Sequence, residues 1–455
     1  MTDPNATNQA GGGSGEITPQ RGTNQSSDNK PQLLAVVRLL LIAAVLGLVA
    51  AFAAVVFTIV VHEVEHLLWS DLPDAAGWRE PPWWYVLAVP VLGALLVALA
   101  LRLPGNGGHS PLQGLSPNPM TPLTLLSLLL AALATLSFGM VLGPEAPLLA
   151  IGLTCGLVAA RAMKAGPEET KVISLAGAFA ALSTIFGGPL PSSLLLFEMV
   201  AAAGLVPSVK LGRILVPGLV AAGFGALLFT GVANWPGVSS SPFSLPPLPG
   251  YPTVRIADIA WCVPIAVVSG LAVILSRRFA FVVAEAAKRN QSAILVGAGF
   301  LIGLLAVVFR AITDQPVDLV LFSGQSALPE LIALSSAGVL VLLVVVKALA
   351  YGLSIGAGFR GGLVFPATFL GIGVGILASL LIPGLELTPA VITGLAAGSA
   401  ASLRAPFFGA LFAALLGGSA AAAAIPLGLL GAVIGWLTAV ALTSGEASEA
   451  KGDEA

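Results

Sequence analysis

The stretch Gly139-Met-Val-Leu-Gly-Pro-Glu-Ala-Pro-Leu-Leu-Ala-Ile-Gly152 places one carboxylate, Glu145, among glycines and prolines, ahead of an apolar run with no charge until Arg161. An ionisable group at membrane depth is costly and is a functional candidate by default. The residues before Glu145 interrupt a helix, and Pro147 suits the first turn of a new one. The pattern indicates a broken helix whose amino-terminal amides face an anion, with Glu145 beside the same spot. An ordinary loop at the membrane surface is the alternative.

The composition predicts an all-α polytopic membrane protein. The chain has 455 residues, of which 57% are hydrophobic and 9% are charged, whereas soluble domains carry roughly 25% charged residues. Its apolar stretches have the length of helices and lack the alternation of barrel strands. The 53 Gly and 33 Pro indicate broken helices, which lipid tolerates only where they face protein or a water-filled path. No basic and aromatic pattern suggests nucleic acid as a partner.

The order of segments predicts one membrane domain between two short tails. Residues 1–31 are polar and are expected to be a disordered tail, residues 32–442 form the transmembrane domain, and residues 443–455 form an acidic tail. A Pro/Ser/Gly-rich linker at 235–253 divides the domain into halves at about 32–234 and 254–442. Besides the Glu145 segment, spans are predicted near 33–69, 86–101, 172–186, 189–205, 212–231, 256–275, 292–312, 332–352, 363–382, 391–416 and 424–442.

The two halves contain an internal repeat. Two anchors recur in the same order: Pro147 to Gly152 with Pro366 to Gly371 at an offset of 219, and Gly177 to Pro189 with Gly394 to Pro406 at an offset of 217. Transporters built from repeats place their site at the repeat interface, on discontinuous helices. The repeat therefore pairs the Glu145 motif with the glycine loop at 356–366. It predicts that two helix amino ends converge near mid-membrane around an anion.

A different function is suggested by His62-Glu-Val-Glu-His66, which fits the H-E-x-x-H pattern of zinc proteases. On a helix both imidazoles share one face, and Glu63 could activate a zinc-bound water. A third ligand is required, and the only other histidine is His109. Helix ends at the membrane interface also collect His and Glu, so an intramembrane protease stays the alternative from another class.

Three motifs together make the chain resemble the CLC family of chloride channels and proton-coupled anion exchangers. The family's G-S-G-I-P loop, its G-R/K-E-G-P segment with a gating glutamate and its G-x-F-x-P loop correspond here to Gly105-Asn-Gly-Gly-His109, Gly143-Pro-Glu-Ala-Pro147 and Gly362-Leu-Val-Phe-Pro366. The resemblance covers about 32–442. It implies a CLC-like inverted-repeat architecture with broken, tilted helices, an anion site at mid-membrane and a homodimer with one pathway in each subunit.

The resemblance also assigns roles to residues. Glu145 resembles the gating carboxylate, which occupies an anion site when it is ionised and swings away when it is protonated or displaced. The anion contacts are expected at Gly105, Asn106, Gly107, Glu145, Gly362, Leu363 and Val364. Such amides can hold a halide without trapping it, as conduction requires.

Several positions depart from the family pattern. Asn106 replaces the usual serine, which bears on the preferred anion, and Pro144 replaces the basic residue before the glutamate. Arg360 is present in the third motif, and we consider two roles for it: a source of the positive potential lost at Pro144, or an arginine that extends to the membrane interface.

The intracellular proton route also departs from the pattern. Glu198 matches the first of two acidic positions, Met199 occupies the second, and the tyrosine of the last helix is absent. Glu198 is the candidate proton carrier, and a hydrogen-bonded helix carboxylate at the subunit interface is its alternative.

These observations predict a transporter and not an enzyme. It would carry chloride or a similar small anion across a prokaryotic plasma membrane, with gating by Glu145 and no cofactor or metal. Proton-coupled exchange is favoured because Glu145 and Glu198 are both present, and a passive channel is the alternative.

Overall fold

The computed structural model describes residues 29–186, 188–202, 211–232 and 245–443. The predicted tails lie outside these ranges except for residues 29–31 and 443, whereas residues 245–253 of the predicted linker lie within them. At those edges the first helix begins at Asn29 and the last helix ends at Thr443.

The described residues form sixteen α-helices. Those of the first half are α1 Asn29–His66, α2 Leu72–Ala75, α3 Trp83–Ala100, α4 Pro122–Ser137, α5 Glu145–Ala162, α6 Pro167–Ser183, α7 Pro189–Ala202 and α8 Leu211–Val232. Those of the second half are α9 Ile256–Ala287, α10 Gln291–Thr313, α11 Leu328–Ala333, α12 Ala337–Ala357, α13 Val364–Leu381, α14 Leu387–Leu403, α15 Pro406–Gly417 and α16 Ile425–Thr443.

Contacts divide the chain into two units, Met1–Leu39 and Leu40–Ala455. Within the first unit the structure describes the opening turns of α1. The second unit holds the rest of α1 and all other helices. Within the described residues nine helices are long and apolar enough to cross a membrane. The fold class predicted from composition, an all-α polytopic membrane protein, is therefore confirmed.

Two parts of the helix assignment needed correction. The single span predicted at 391–416 is two helices, because Arg404 ends α14 in a left-handed conformation (φ +56°) and Pro406 begins α15. Proline cannot continue the first helix but suits the first turn of the next. The sequence reading also missed α4, which starts at a Thr121 cap whose hydroxyl accepts a hydrogen bond from the Thr124 amide.

Glycine contacts between helices recur in both halves. In the first half α5 crosses α6 at Gly152 and Gly177, and a Cβ on either glycine would overlap the other's carbonyl oxygen. In the second half α13 crosses α14 at Gly371 and Gly394, with the same overlap. Small residues allow helices in lipid to approach closely. The glycines that revealed the repeat in the sequence are therefore the crossing points of two equivalent helix pairs.

Candidate anion site

The glycine loops of the two halves meet directly. The Gly143 amide donates to the Gly362 carbonyl at 2.9 Å, and the Gly362 amide donates to the Gly143 carbonyl at 2.5 Å. These paired bonds form an isolated antiparallel bridge. Helix α5 begins two residues after Gly143 and helix α13 begins two residues after Gly362. The two helix starts that the repeat pairs are thus adjacent in the structure.

The Glu145 carboxyl group lies between these two helix starts and is fully buried. Its Oε1 accepts a hydrogen bond from the Phe365 amide at 2.9 Å, and the Val364 amide also interacts with the carboxyl group. Unsatisfied amides at a helix start favour negative charge. The sequence named Leu363 and Val364 as donors, whereas the structure adds Phe365, which is one residue further into α13.

Glycine is required at both bridge positions because the carboxyl group packs on the backbone. A Cβ on Gly143 or on Gly362 would overlap Oε2 of Glu145. This oxygen accepts no hydrogen bond from the residues that the structure describes. The site therefore satisfies one oxygen of the carboxyl group and leaves the other without a donor, which is costly for a buried charge.

Lys347 binds the backbone segment that contacts Gly139, and the sequence analysis did not identify it. Its Nζ is buried and donates to the carbonyls of Leu321 and Phe322 at 2.8 and 3.1 Å. Phe322 has a positive φ of +58°, and its amide donates to the Gly139 carbonyl at 3.2 Å. A lysine within an otherwise apolar span is a signal that could have identified it.

Tyr351 is a second residue that the sequence reading did not place at the site. It is fully buried on α12, and its hydroxyl donates to the Leu363 carbonyl at 2.8 Å. Leu363 immediately precedes α13. A hydrogen bond to this carbonyl polarises the following peptide group, so it strengthens the Val364 amide as a donor.

The first glycine loop, where anion contacts are expected, directs several of its backbone amides to acceptors within the protein. Gly105, Asn106, Gly107 and Gly108 all have positive φ angles, +98°, +49°, +69° and +65°, which form a left-handed turn. The amides of Asn106, Gly107 and Gly108 donate to Leu103 O, Ser127 Oγ and Gly105 O. These amides are thus already satisfied by protein acceptors. The side chain of Asn106 is exposed.

Arg360 is buried, with 6% of its surface exposed. Its guanidinium contacts the first glycine loop, where Nε donates to Gly107 O at 2.7 Å. An arginine that extends to the membrane interface would expose its charged end. This alternative for Arg360 is therefore excluded.

A cavity adjoins the segment that carries Glu145. Its lining includes His109, Ser110 and Ser116 after the first glycine loop, Ala146 in the first turn of α5, and Gly361 and Leu363 before α13. Ala146 follows Glu145 in the chain, and Leu363 precedes the Val364 amide. The cavity thus extends from the residues around the carboxyl group to a polar loop.

Glu198 lies at the amino end of α15. Its two carboxyl oxygens accept hydrogen bonds from the amides of Phe407 and Phe408 at 2.9 and 2.8 Å. A carboxylate at this position satisfies two amides that have no partner within the helix. Glu198 therefore stabilises the start of α15, whatever its role toward protons.

The His62–His66 pattern lies at the end of α1. The imidazole centroids are 6.3 Å apart, and His66 Nδ1 is 3.1 Å from Asp71 Oδ1. No group of three or more His, Cys, Asp or Glu side chains in the described ranges could hold a metal ion. The protease alternative thus finds no support in this geometry.

The broken helices, the paired glycine loops and the buried carboxyl group define a multi-span anion transport protein. The family model for voltage gated chloride channels matches residues 109–440. The chain belongs to this family, which contains transporters and channels and not enzymes. This confirms the resemblance found in the sequence and identifies the chain as an integral plasma-membrane protein.

Curated relatives and solved structures agree with this family. YfeO of Escherichia coli O17:K52:H18, a protein named for ion transport, is 29% identical over 374 residues, which cover 80% of this chain and 83% of YfeO. YfeO of Shigella boydii serotype 4 is also 29% identical with the same coverage. A slow cyanobacterial Cl−/H+ antiporter superposes with a TM-score of 0.73 at 20% identity and covers 89% of this chain and 95% of its own. A CLC-type fluoride/proton antiporter gives 0.64 at 16% identity, with 88% and 95% covered.

Proposed function

We propose that this protein moves chloride or a similar small anion through a path gated by the Glu145 carboxyl group, in exchange for protons. The observation that carries the proposal is the position of this group between the amino ends of α5 and α13. One oxygen takes the Phe365 amide, and the other has no donor among the described residues. A carboxylate there occupies the place that suits a small anion.

Protonation provides a way to open this gate. A buried carboxylate loses its water shell, and protonation removes the charge that makes this costly. The neutral group no longer needs the Phe365 amide and can leave the site, which frees the amide for an anion. Each opening then takes up one proton, so movement of the anion is linked to movement of the proton.

The two antiporters that resemble this chain in structure exchange an anion for protons, which supports exchange. The hydrogen bonds of Glu198 favour the alternative, a passive channel. Both of its oxygens are held by amides of α15, so it is less free to relay protons than an unbonded carboxylate.

Flux from liposomes that contain the purified protein tests the proposal. A chloride gradient is imposed while chloride and external pH are recorded together. We expect chloride movement to drive proton movement in the opposite direction. Chloride flux without proton movement would instead identify a passive channel, and the absence of any anion flux would refute the proposed function.

Glu145→Gln is the matched variant, because glutamine has the same shape but cannot titrate. We expect chloride flux to continue in this variant without proton movement and without dependence on pH. Proton coupling that survives in Glu145→Gln would exclude Glu145 as the gate.

We also infer that two copies of the chain associate as a homodimer. The faces of α8, α15 and α16 expose apolar side chains, among them Leu219, Phe407 and Leu430. Between apolar faces in lipid, association depends on close packing and not on exclusion of water.

A further inference from the structure

Arg360 donates to three backbone carbonyls, and two of them, those of Asn106 and Gly107, belong to the other half. Nε donates to Gly107 O at 2.7 Å, Nη2 donates to Asn106 O at 3.1 Å, and Nη1 donates to Gly358 O at 2.9 Å. Its own amide donates to Thr135 Oγ1 at 3.1 Å. A guanidinium group offers five N–H donors in a fixed planar fork, which lysine cannot reproduce.

These bonds fix the orientation of the first glycine loop. Left-handed backbone is unfavourable for Asn106, although asparagine tolerates it better than most residues. With the carbonyls of Asn106 and Gly107 bound to the guanidinium, their negative ends are directed at Arg360. The amides of both residues are satisfied by Leu103 and Ser127. Of these two residues, the Asn106 carboxamide is therefore the donor left to contact an anion.

The charge of Arg360 is not neutralised by its hydrogen-bond partners. All three acceptors are carbonyls, and in the described part of the chain no carboxylate forms an ion pair with Arg360. A buried charge without a counter-charge is costly. An anion nearby lowers this cost. Gly362, two residues after Arg360, forms the bridge to Gly143 on which the Glu145 carboxyl group packs.

We propose that Arg360 is a positioning residue for anion recognition, which presents the Asn106 carboxamide to the anion and supplies the resident positive charge of the site. This inference rests on the proposed function, since it concerns the same pathway. It assigns two separable effects to one side chain. The geometry of the guanidinium determines which anion is preferred, and its charge determines how tightly any anion is held.

Two substitutions separate these effects. Arg360→Lys keeps the charge but cannot bridge three carbonyls, so we expect near-normal chloride affinity with an altered preference between fluoride and chloride. Arg360→Gln removes both, and we expect chloride affinity to fall about tenfold, which corresponds to about 1.4 kcal/mol, together with the altered preference. The measurement is the initial rate of chloride and fluoride uptake into liposomes as a function of anion concentration.

Arg310→Gln is the matched control. Arg310 is also largely buried and donates to a backbone carbonyl, that of Pro81, at 2.8 Å, but it lies at the end of α10. We expect this variant to keep the wild-type affinity and preference.

Asn106→Gly keeps the test valid if Arg360→Gln does not fold. Glycine accepts the positive φ of this position, and both carbonyls and the charge of Arg360 remain. We expect it to shift the fluoride-to-chloride preference as Arg360→Lys does.

The inference is overturned if Arg360→Gln retains wild-type chloride affinity, or if Arg360→Lys and Asn106→Gly retain wild-type preference. Equal losses of affinity in Arg360→Lys and Arg360→Gln would also overturn the role of charge. A wild-type protein that carries neither anion would instead refute the proposed function, so the two failures are distinguishable.

Discussion

The Glu145 carboxyl group is confined by two glycines from opposite halves. A Cβ on Gly362 would overlap Oε2. The carboxyl group can therefore occupy its observed position only because residue 362, which lies 217 residues further along the chain, has no side chain. Gly362 does not have a positive φ, so alanine meets no backbone strain there. The three atoms nearest to such a Cβ all belong to Glu145, and Oε2 is the nearest.

We therefore predict that Gly362→Ala displaces Glu145 from the Phe365 amide. A hydrogen bond to a charged group contributes about 1.5–3 kcal/mol, so the seated state should be weakened by roughly tenfold or more. Chloride flux at alkaline pH, where the ionised carboxyl group closes the path, should rise toward its value at acidic pH. The measurement is chloride efflux from liposomes across a pH series.

Gly297→Ala is the control for this variant, since nothing lies within 4 Å of a Cβ at that position on α10. Its pH profile should match that of the wild type. An unchanged profile in Gly362→Ala would mean that the carboxyl group does not close the path from its observed position.

The glycine crossings between helices determine where the amino ends of α5 and α13 lie. Helices α5 and α13 each begin at the site and then cross a partner helix through a glycine pair. We predict that Gly152→Ala and Gly371→Ala each lower the unfolding free energy by about 1–3 kcal/mol through overpacking. Similar losses are expected because the two crossings have the same geometry.

Thermal unfolding in detergent measures this effect, with Gly297→Ala again as the control. A helical Gly→Ala change in open space should be neutral or stabilising by up to about 1 kcal/mol. Loss of stability in one half only would show that the two crossings are not equivalent.

Helix α15 provides a test of Glu198. Glu198→Ala removes the acceptor of two amides at the helix start, and loss of such a cap costs about 0.5–2 kcal/mol. Glu198→Gln keeps an oxygen acceptor but loses the charge, so it should unfold at a temperature closer to that of the wild type. If Glu198 also carries protons, Glu198→Gln should lower the number of protons moved per chloride.

The two readouts separate the two roles of Glu198. Reduced stability in Glu198→Ala with normal coupling in Glu198→Gln would leave Glu198 as a helix cap alone. The measurements are unfolding temperature in detergent and simultaneous chloride and pH recording in liposomes.

At the scale of the whole molecule, we predict that association involves the α8 face and not the α3 face. Leu219 on α8 and Leu95 on α3 are exposed to similar extents, 43% and 51%. Leu219→Trp places a bulky ring on the proposed contact and should reduce the particle mass in detergent to that of one chain. Leu95→Trp should leave the mass at two chains, as measured by light scattering. A single-chain mass for the wild type would contradict the proposed homodimer.

Sequence analysis alone was enough to identify the membrane class, the broken helices, the repeat and the position of Glu145 before a helix start. These properties follow from local composition and periodicity, because lipid requires long apolar segments and glycine and proline mark their interruptions. The sequence also located the two glycine loops, since each lies directly before a recognisable helix.

Only the tertiary structure shows which polar groups form hydrogen bonds with one another. The Phe365 amide donates to the Glu145 carboxyl group, and the Tyr351 hydroxyl donates to the Leu363 carbonyl. The Arg360 guanidinium donates to the carbonyls of Asn106 and Gly107. The structure also shows that amides of the first loop are satisfied internally. Several of these contacts join residues more than 200 positions apart, and no local pattern specifies them. They arise because most buried polar groups find a partner in the packed molecule, although Oε2 of Glu145 does not.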